Sequence, residues 1–299
     1  MSQFSDNLRG ALFMVISMAG FALNDATAKL VAGDLGLYQI IFLRGVFASL
    51  LMGLLAWRQG CLLHRPSGAD TRAMSWRAVA DIGATLCFLT ALFNMPIADA
   101  TAILQSIPLA VTLAAALFLR EAVGWRRYTA ILVGFAGVLI IVRPGGEGFN
   151  AYALWAVAAV AFIVLRDLTT RGLSTAAPSA FVALTSSLAI TAVSGLLALT
   201  EPWQPVSGGS LGLLAAAAVF LFFGYLFAVM TMRVGEVSYI SPFRYTVLLW
   251  AMILGLILFG EVPDAWTLLG SLIIVVTGIY TFYRERKVLK AEAARTAAQ

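Results

Sequence analysis

Ten stretches of this chain are long enough and apolar enough to cross a bilayer as helices, and that alone decides its class of fold. Roughly 20 apolar residues span the hydrocarbon core, where a helix satisfies its own backbone polar groups. The runs fall near Gly10–Leu30, Leu37–Trp57, Trp76–Asn94, Asp99–Leu119 and Arg127–Val142, then near Ala151–Leu168, Pro178–Leu199, Leu211–Met232, Glu236–Phe259 and Ala265–Tyr283. The chain is 61% hydrophobic and only 12% charged, against about 25% charged in soluble domains. The expected architecture is therefore an all-α integral membrane protein with ten transmembrane helices.

The few charges are distributed unevenly. Arg58, Arg65 and Arg72 fall in one connection and Arg120, Arg126 and Arg127 in another, while Arg171 and Arg233 mark two further exits on the same side. The tail adds Arg284, Arg286, Lys287, Lys290 and Arg295. The opposite connections hold Lys29 and Arg143 among Asp34, Glu147, Glu201, Glu261 and Asp264. Positive residues are retained on the cytoplasmic side, so a multi-pass protein of a bacterial inner membrane with both termini cytoplasmic is expected. The net charge of +5 is spread over these connections and forms no patch for nucleic acid. Cys61 and Cys87 have no metal spacing, and the single histidine, His64, falls in a loop. No cofactor and no metal are expected.

Within the first run stands a polar string, Asn24-Asp25-Ala-Thr27-Ala-Lys29. It returns as Arg166-Asp167-Leu-Thr169-Thr-Arg171, each of Asp, Thr and the basic residue 142 positions on. Gly53-Leu-Leu-Ala56 and Gly195-Leu-Leu-Ala198 repeat at the same offset, Glu121 and Glu261 at 140, and Gly137 and Gly278 at 141. Matches in one order along the chain indicate a duplicated unit, with a first repeat over residues 1–147, a second over 148–285 and a basic tail over 286–299. Arg9, the apolar run and Ala26-Thr27-Ala28 also imitate a cleavable secretory signal. The echo of the string in mid-chain, where no signal peptidase acts, favours a retained first helix. Five spans per unit is an odd number, so the second copy must enter the membrane upside down. Inverted repeats are an architecture of alternating-access carriers, with the substrate site between the repeats.

Two five-span copies, each with a proline-bearing fourth helix that closes at a Glu, resemble the drug/metabolite transporter superfamily, EamA type. The residues that carry the resemblance are Pro108…Arg120-Glu121 and Pro242-Phe-Arg244-Tyr245-Thr…Phe259-Gly260-Glu261-Val-Pro263. Within it the chain is most similar to bacterial amino-acid exporters of the YddG kind. It departs at Arg120, where the second copy has Gly260. The resemblance implies a central cavity lined by the first, third, fourth, sixth, eighth and ninth helices, with the fifth and tenth outside.

Candidate site residues follow from the cost of polarity in lipid. Asp25 and Arg44, and Arg166, Asp167 and Arg244, read either as gates at the two mouths of a pathway or as structural ion pairs. Pro108 and Pro242 read as helix breaks, each freeing a carbonyl, or as packing kinks. Phe21, Asn24, Phe88, Gln105, Trp155, Phe162, Tyr225, Tyr245 and Trp250 are the candidate cavity residues, although Trp and Tyr near span ends also suit the interfacial belt. Asp81, Asp99, Glu121, Glu236 and Glu261 are placed near span ends, which leaves no carboxylate at mid-membrane and weighs against proton coupling.

The expected function is a secondary, non-ATP transporter that exports amino acids or similar small metabolites. Its partners would be a small zwitterionic or amphipathic substrate and the lipid bilayer. The alternatives are an exporter of drugs or other amphipathic metabolites, including an S-adenosylmethionine-type substrate, and a non-transporting membrane interaction or channel protein. An enzyme is not expected, because there is no membrane histidine, no H-E-x-x-H and no paired aspartates. Gly134-x-x-Gly137 suits close helix packing within a monomer and equally a dimer contact.

Overall fold

The computed structural model describes residues 2–120, 123–146, 148–174, 176–231, 234 and 237–296. Glu121, Glu147, Arg233 and Glu236, singled out above, lie outside the described residues. Among those described there are helices and no strands, and ten segments are long and apolar enough to span a membrane. The helices are α1 (Ser2–Leu30), α2 (Leu37–Arg58), α3 (Gly68–Asn94), α4 (Ile97–Leu104), α5 (Ile107–Phe118), α6 (Trp125–Val142), α7 (Ala153–Thr170), α8 (Ser179–Ala198), α9 (Gly208–Thr231), α10 (Val237–Ile240), α11 (Thr246–Phe259) and α12 (Ala265–Thr296). A 3₁₀ turn over Ser241–Tyr245 joins α10 to α11.

Helices α4 and α5 together make the fourth span, and the 3₁₀ turn with α11 makes the ninth. The first break has a direct cause. Pro108 has no amide to offer the Leu104 carbonyl four residues back, so α4 stops at Leu104 and the Gln105 and Ser106 amides turn tightly onto Thr101, Ala102 and Ile103. The restarts at Ile107 and Thr246 are 139 residues apart, within one position of the offset that links Glu121 to Glu261.

The third span starts earlier than its apolar run suggests. Ser67 accepts the Asp70 amide at 3.0 Å and caps the helix, a favourable N-cap arrangement. Asp70 in turn accepts both the amide and the hydroxyl of Ser174 at 2.8 and 2.9 Å, tying the start of α3 to the loop after α7. Asp81 consequently lies in the middle of α3, and the expectation that it sits at a span end is corrected.

Packing is paired. The most extensive interfaces join α1 to α9, α3 to α7, α2 to α8 and α6 to α12. Exchanging the first five spans with the last five maps α1–α9 onto α7–α3 and leaves the other two pairs unchanged. Individual residues obey the same exchange. The hydroxyls of Ser49 and Thr191, 142 positions apart, lie 3.3 Å from each other. Gly195 faces the ring of Phe42, and their counterparts 142 positions away, Gly53 and Leu184, face each other too. Between α1 and α9 the backbones meet at Gly20 and Gly224, and the Ser17 hydroxyl donates to the Gly224 carbonyl at 2.7 Å. Lipid supplies little hydrophobic drive for helix association, so small residues and close packing do that work.

This packing predicts a position-specific cost. A methyl group at Gly20 would lie 3.0 Å from the Gly224 Cα and amide nitrogen and from the Phe220 carbonyl oxygen, whereas one at Gly33 would meet nothing within 4 Å. Gly20→Val should lower stability by about 1–3 kcal/mol, read as an earlier melting transition in detergent. Gly33→Ala, close to the end of the same helix, should leave the transition in place.

Candidate functional site

Between the two halves lies a cavity of about 410 Å³. Its wall is mostly apolar, with Met18, Phe21, Phe88, Ile163, Leu221 and Val247 among its residues. Into this wall are set Asn24 and Asp25 from α1, Arg44 from α2, Asp81 from α3, Arg166 from α7 and Arg244 from the 3₁₀ turn. Thr85, Thr101 and Gln105 add neutral polarity, the last two beside the break between α4 and α5. Helices α6 and α12 contribute none of the described lining. Helices α2 and α8, through Arg44 and Ile190, do contribute.

The charged residues form two groups. At the first, the Arg44 guanidinium donates to the Asn24 side-chain oxygen at 3.2 Å, and the Asn24 amide donates to Asp25 at 2.8 Å. Asp25 and Arg44 are thus linked through Asn24, with no direct ion pair between them. Asn24 is 3% exposed and Arg44 9%, so the relay of an amide between two ionisable groups stands in for the water both have lost. At the second, Arg166 pairs with Asp167 at 2.9 Å and reaches Asp81 at 3.9 Å, while Arg77 approaches the other Asp81 oxygen at 3.5 Å and donates to the Thr170 hydroxyl. Carboxylates therefore do stand in the cavity wall, and the inference drawn against proton coupling from their absence is withdrawn.

The candidate aromatic residues divide. Phe21 and Phe88 line the cavity beside Asn24 and Gln105. Trp155 is 48% exposed on the outer surface of α7. Phe162 lies against Gly83 and fills the α3–α7 contact. Tyr225 donates its hydroxyl to the Ser179 carbonyl at 3.2 Å and packs beside Met52 and Ala56. Tyr245 is buried against Gly278 of α12, and Trp250 is half-buried on α11. These five stand outside the described lining. Pro108 lines a second chamber described below, and Pro242 lines neither space.

Asp81 and Arg77 were not among the sequence candidates. Their signal was available as an i, i+4 ion pair on one helical face, within the run that starts near Trp76.

One end of the bundle is fastened by a separate cluster. Lys29 donates to Glu261 at 2.6 Å and to the Met95 carbonyl at 2.7 Å, and its ammonium lies 5.0 Å from the Phe259 ring centre. The other Glu261 oxygen accepts the Ile97 amide at 2.8 Å, satisfying an otherwise orphaned donor at the start of α4. Beside it Arg143 pairs with Asp264, Asp264 accepts the Thr267 amide at 2.7 Å, and the Thr267 hydroxyl donates to Asp99 at 2.9 Å. Partial burial pushes the Asp264 carboxyl up, but the Thr267 amide and Arg143 outweigh it and hold it below the usual carboxylate range. The cluster holds the ends of α1, α3, α4, α6, α11 and α12 together. Lys29→Ala removes an ion pair and leaves the Met95 carbonyl without its donor, so melting in detergent should occur earlier, by about 1–3 kcal/mol of stability. Exchanging the charges, Lys29→Glu with Glu261→Lys, should restore only part of this, since a lysine at 261 cannot accept the Ile97 amide. Full recovery would show that the carboxylate acts on Lys29 alone.

A profile described as the EamA-like transporter family matches the chain twice, over residues 8–143 and 150–284. The S-adenosylmethionine uptake transporter of Rickettsia felis is 26% identical over 94% of this chain and 95% of its own. The riboflavin transporter of Vibrio cholerae is 28% identical over 95% of this chain and 96% of its own. The pseudopaline exporter CntI of Pseudomonas aeruginosa is 28% identical over 90% of this chain and 94% of its own. A solved crystal structure superposes with a TM-score of 0.62 at 19% identity, over 96% of this chain and 99% of the other, which shows the fold alone.

Proposed function

Since the chain belongs to the EamA-like transporter family, it is a multi-pass membrane transporter of small metabolites, and we propose that its substrate is an amino acid or similar small zwitterion carried by alternating access. The observation that carries this reading is the cavity itself: a space of about 410 Å³ with an apolar wall and ionised groups of both signs. An apolar pocket with a few placed polar groups suits a small ligand, and both signs within one such pocket suit a ligand that bears both. Asn24 occupies one oxygen of Asp25, and the second oxygen takes the ammonium in this reading. The wall at Phe21 and Phe88 takes the side chain.

Alternating access requires two related halves that can exchange their packing. We take residues 1–147 and 148–285 as those halves, inverted about an axis in the membrane plane. The support is the contact between Ser49 and Thr191, since a residue on a two-fold axis touches its own counterpart, together with the reciprocal Phe42–Gly195 and Gly53–Leu184 contacts. Five spans per half reverse direction. We take both termini, and the basic tail over 286–299, to face the cytoplasm of a bacterial inner membrane, a reading supported by the arginines of the even-numbered exits. The Lys29–Glu261 cluster then faces outward. Amino acids concentrated in a cell run outward down their own gradient, which is the direction of transport in this reading.

Purified protein in liposomes loaded with an unlabelled mixture of the twenty amino acids should accumulate the labelled mixture by counterflow. Asp25→Asn should reduce the initial rate about tenfold or more, the scale of losing a charge-assisted hydrogen bond, with a monodisperse, folded protein. Empty-liposome levels of uptake by the wild type would sink the amino-acid reading.

A further inference from the structure

We propose that Arg244 is the group that holds the anionic end of the substrate, and that this anion is a carboxylate. The inference rests on the zwitterion reading above and assigns one end of it. Three arginines stand in the cavity wall. Arg44 donates to Asn24 at 3.2 Å, and Arg166 is paired with Asp167 at 2.9 Å. Arg244 makes no hydrogen bond or ion pair among the described residues; Asp167 and Arg166 are its charged neighbours, acting from beyond contact distance. Two aspartates, Asp25 and Asp81, line the same space; Arg44 is linked to the first through Asn24, and Arg166 reaches the second at 3.9 Å. One guanidinium is left over.

An uncompensated guanidinium within a membrane protein is costly and persists where a cavity brings it water or an anion. Arg244 has such access twice. A second chamber of about 210 Å³ is lined by Pro108, Thr112, Arg127, Asp167, Arg171 and Arg244 among others. The described linings of the two chambers share only Ile107 and Arg244. The arginine therefore stands at the partition, on the 3₁₀ turn that interrupts the ninth span, opposite the break at Pro108 in the fourth. Its planar fork matches a carboxylate with two parallel hydrogen bonds. The zwitterion reading above makes that anion a carboxylate. A substrate held there keeps its carboxylate on one arginine while the surrounding helices change which chamber is open.

The test is counterflow of the labelled amino-acid mixture in proteoliposomes, with two competitors: the unlabelled amino acids, and the same amino acids as their carboxamides, which keep the ammonium and lose the carboxylate. In the wild type the acids should compete about thirtyfold better than the amides, the scale of an unpaired buried charge. In Arg244→Gln this ratio should fall to about one, and Arg244→Lys, which keeps the charge without the fork, should give an intermediate value. The ratio is internal to each preparation, so the fraction of folded protein does not enter it. If one variant does not fold, the other supplies the comparison. A ratio that Arg244→Gln and Arg244→Lys leave at the wild-type value would overturn the assignment of Arg244 while the amino-acid reading stood. A wild type without counterflow of any amino acid would overturn that reading and this inference with it.

Discussion

Ionised groups inside a bilayer need partners, and the organisation of this chain follows from how few it has and where it puts them. Most of the buried charges within the spans are tied to a second helix or face the cavity. Asn24 joins α1 to α2, Arg77, Asp81 and Arg166 join α3 to α7, and Lys29 joins α1 to α11 and to the turn between α3 and α4. Removing one member of such a set leaves the other unsolvated where water cannot compensate. The polar contacts therefore act as clasps that fix which helices are neighbours. The small-residue contacts, such as Gly20 with Gly224, fix how close they come.

The fold was legible in the sequence to a degree the site was not. Spacing of apolar runs depends on a bilayer thickness that every span shares, and ten runs gave ten spans. The duplicated string gave the offset of 142 that reappears as Ser49 against Thr191. The cavity lining depends instead on helix rotation, which an apolar run does not encode, because a membrane helix is apolar on its lipid side as well as inside. Hence Phe21 and Phe88 face the cavity while Trp155, on a helix that also reaches it through Ile163 and Arg166, faces out. Asp81 was misplaced for a different reason. The first turns of α3 are polar, so a hydropathy criterion starts the span late and moves the charge toward its end.

The two halves share a frame and differ in the polar groups mounted on it. At the offset of 142, Asn24 corresponds to Arg166 and Asp25 to Asp167. In the first half an amide mediates between Asp25 and a distant arginine, while in the second the arginine sits next to its own aspartate and reaches Asp81 as well. At the offset of 140 that aligns the closing glutamates, Arg244 corresponds to Leu104 and Tyr245 to Gln105. The packing contacts are reciprocal and the charges are not.

That difference bears on what a carrier needs. If both halves presented the same groups, a substrate would have two equivalent poses and no fixed polarity in the cavity. Unlike groups on alike frames would remove the degeneracy: in the proposed alternating access the frame keeps the two packings close in energy, which exchange between them requires, and the unmatched charges orient the ligand. A ligand shifts such an equilibrium only by the difference in its affinity for the two states. In the assignment proposed for Arg244, which lines both chambers, the ligand is held from either side, so this arginine contributes affinity while adding little to that difference. In the same assignment, groups that line one chamber only, such as Asn24 and Asp25, are the ones able to bias the exchange.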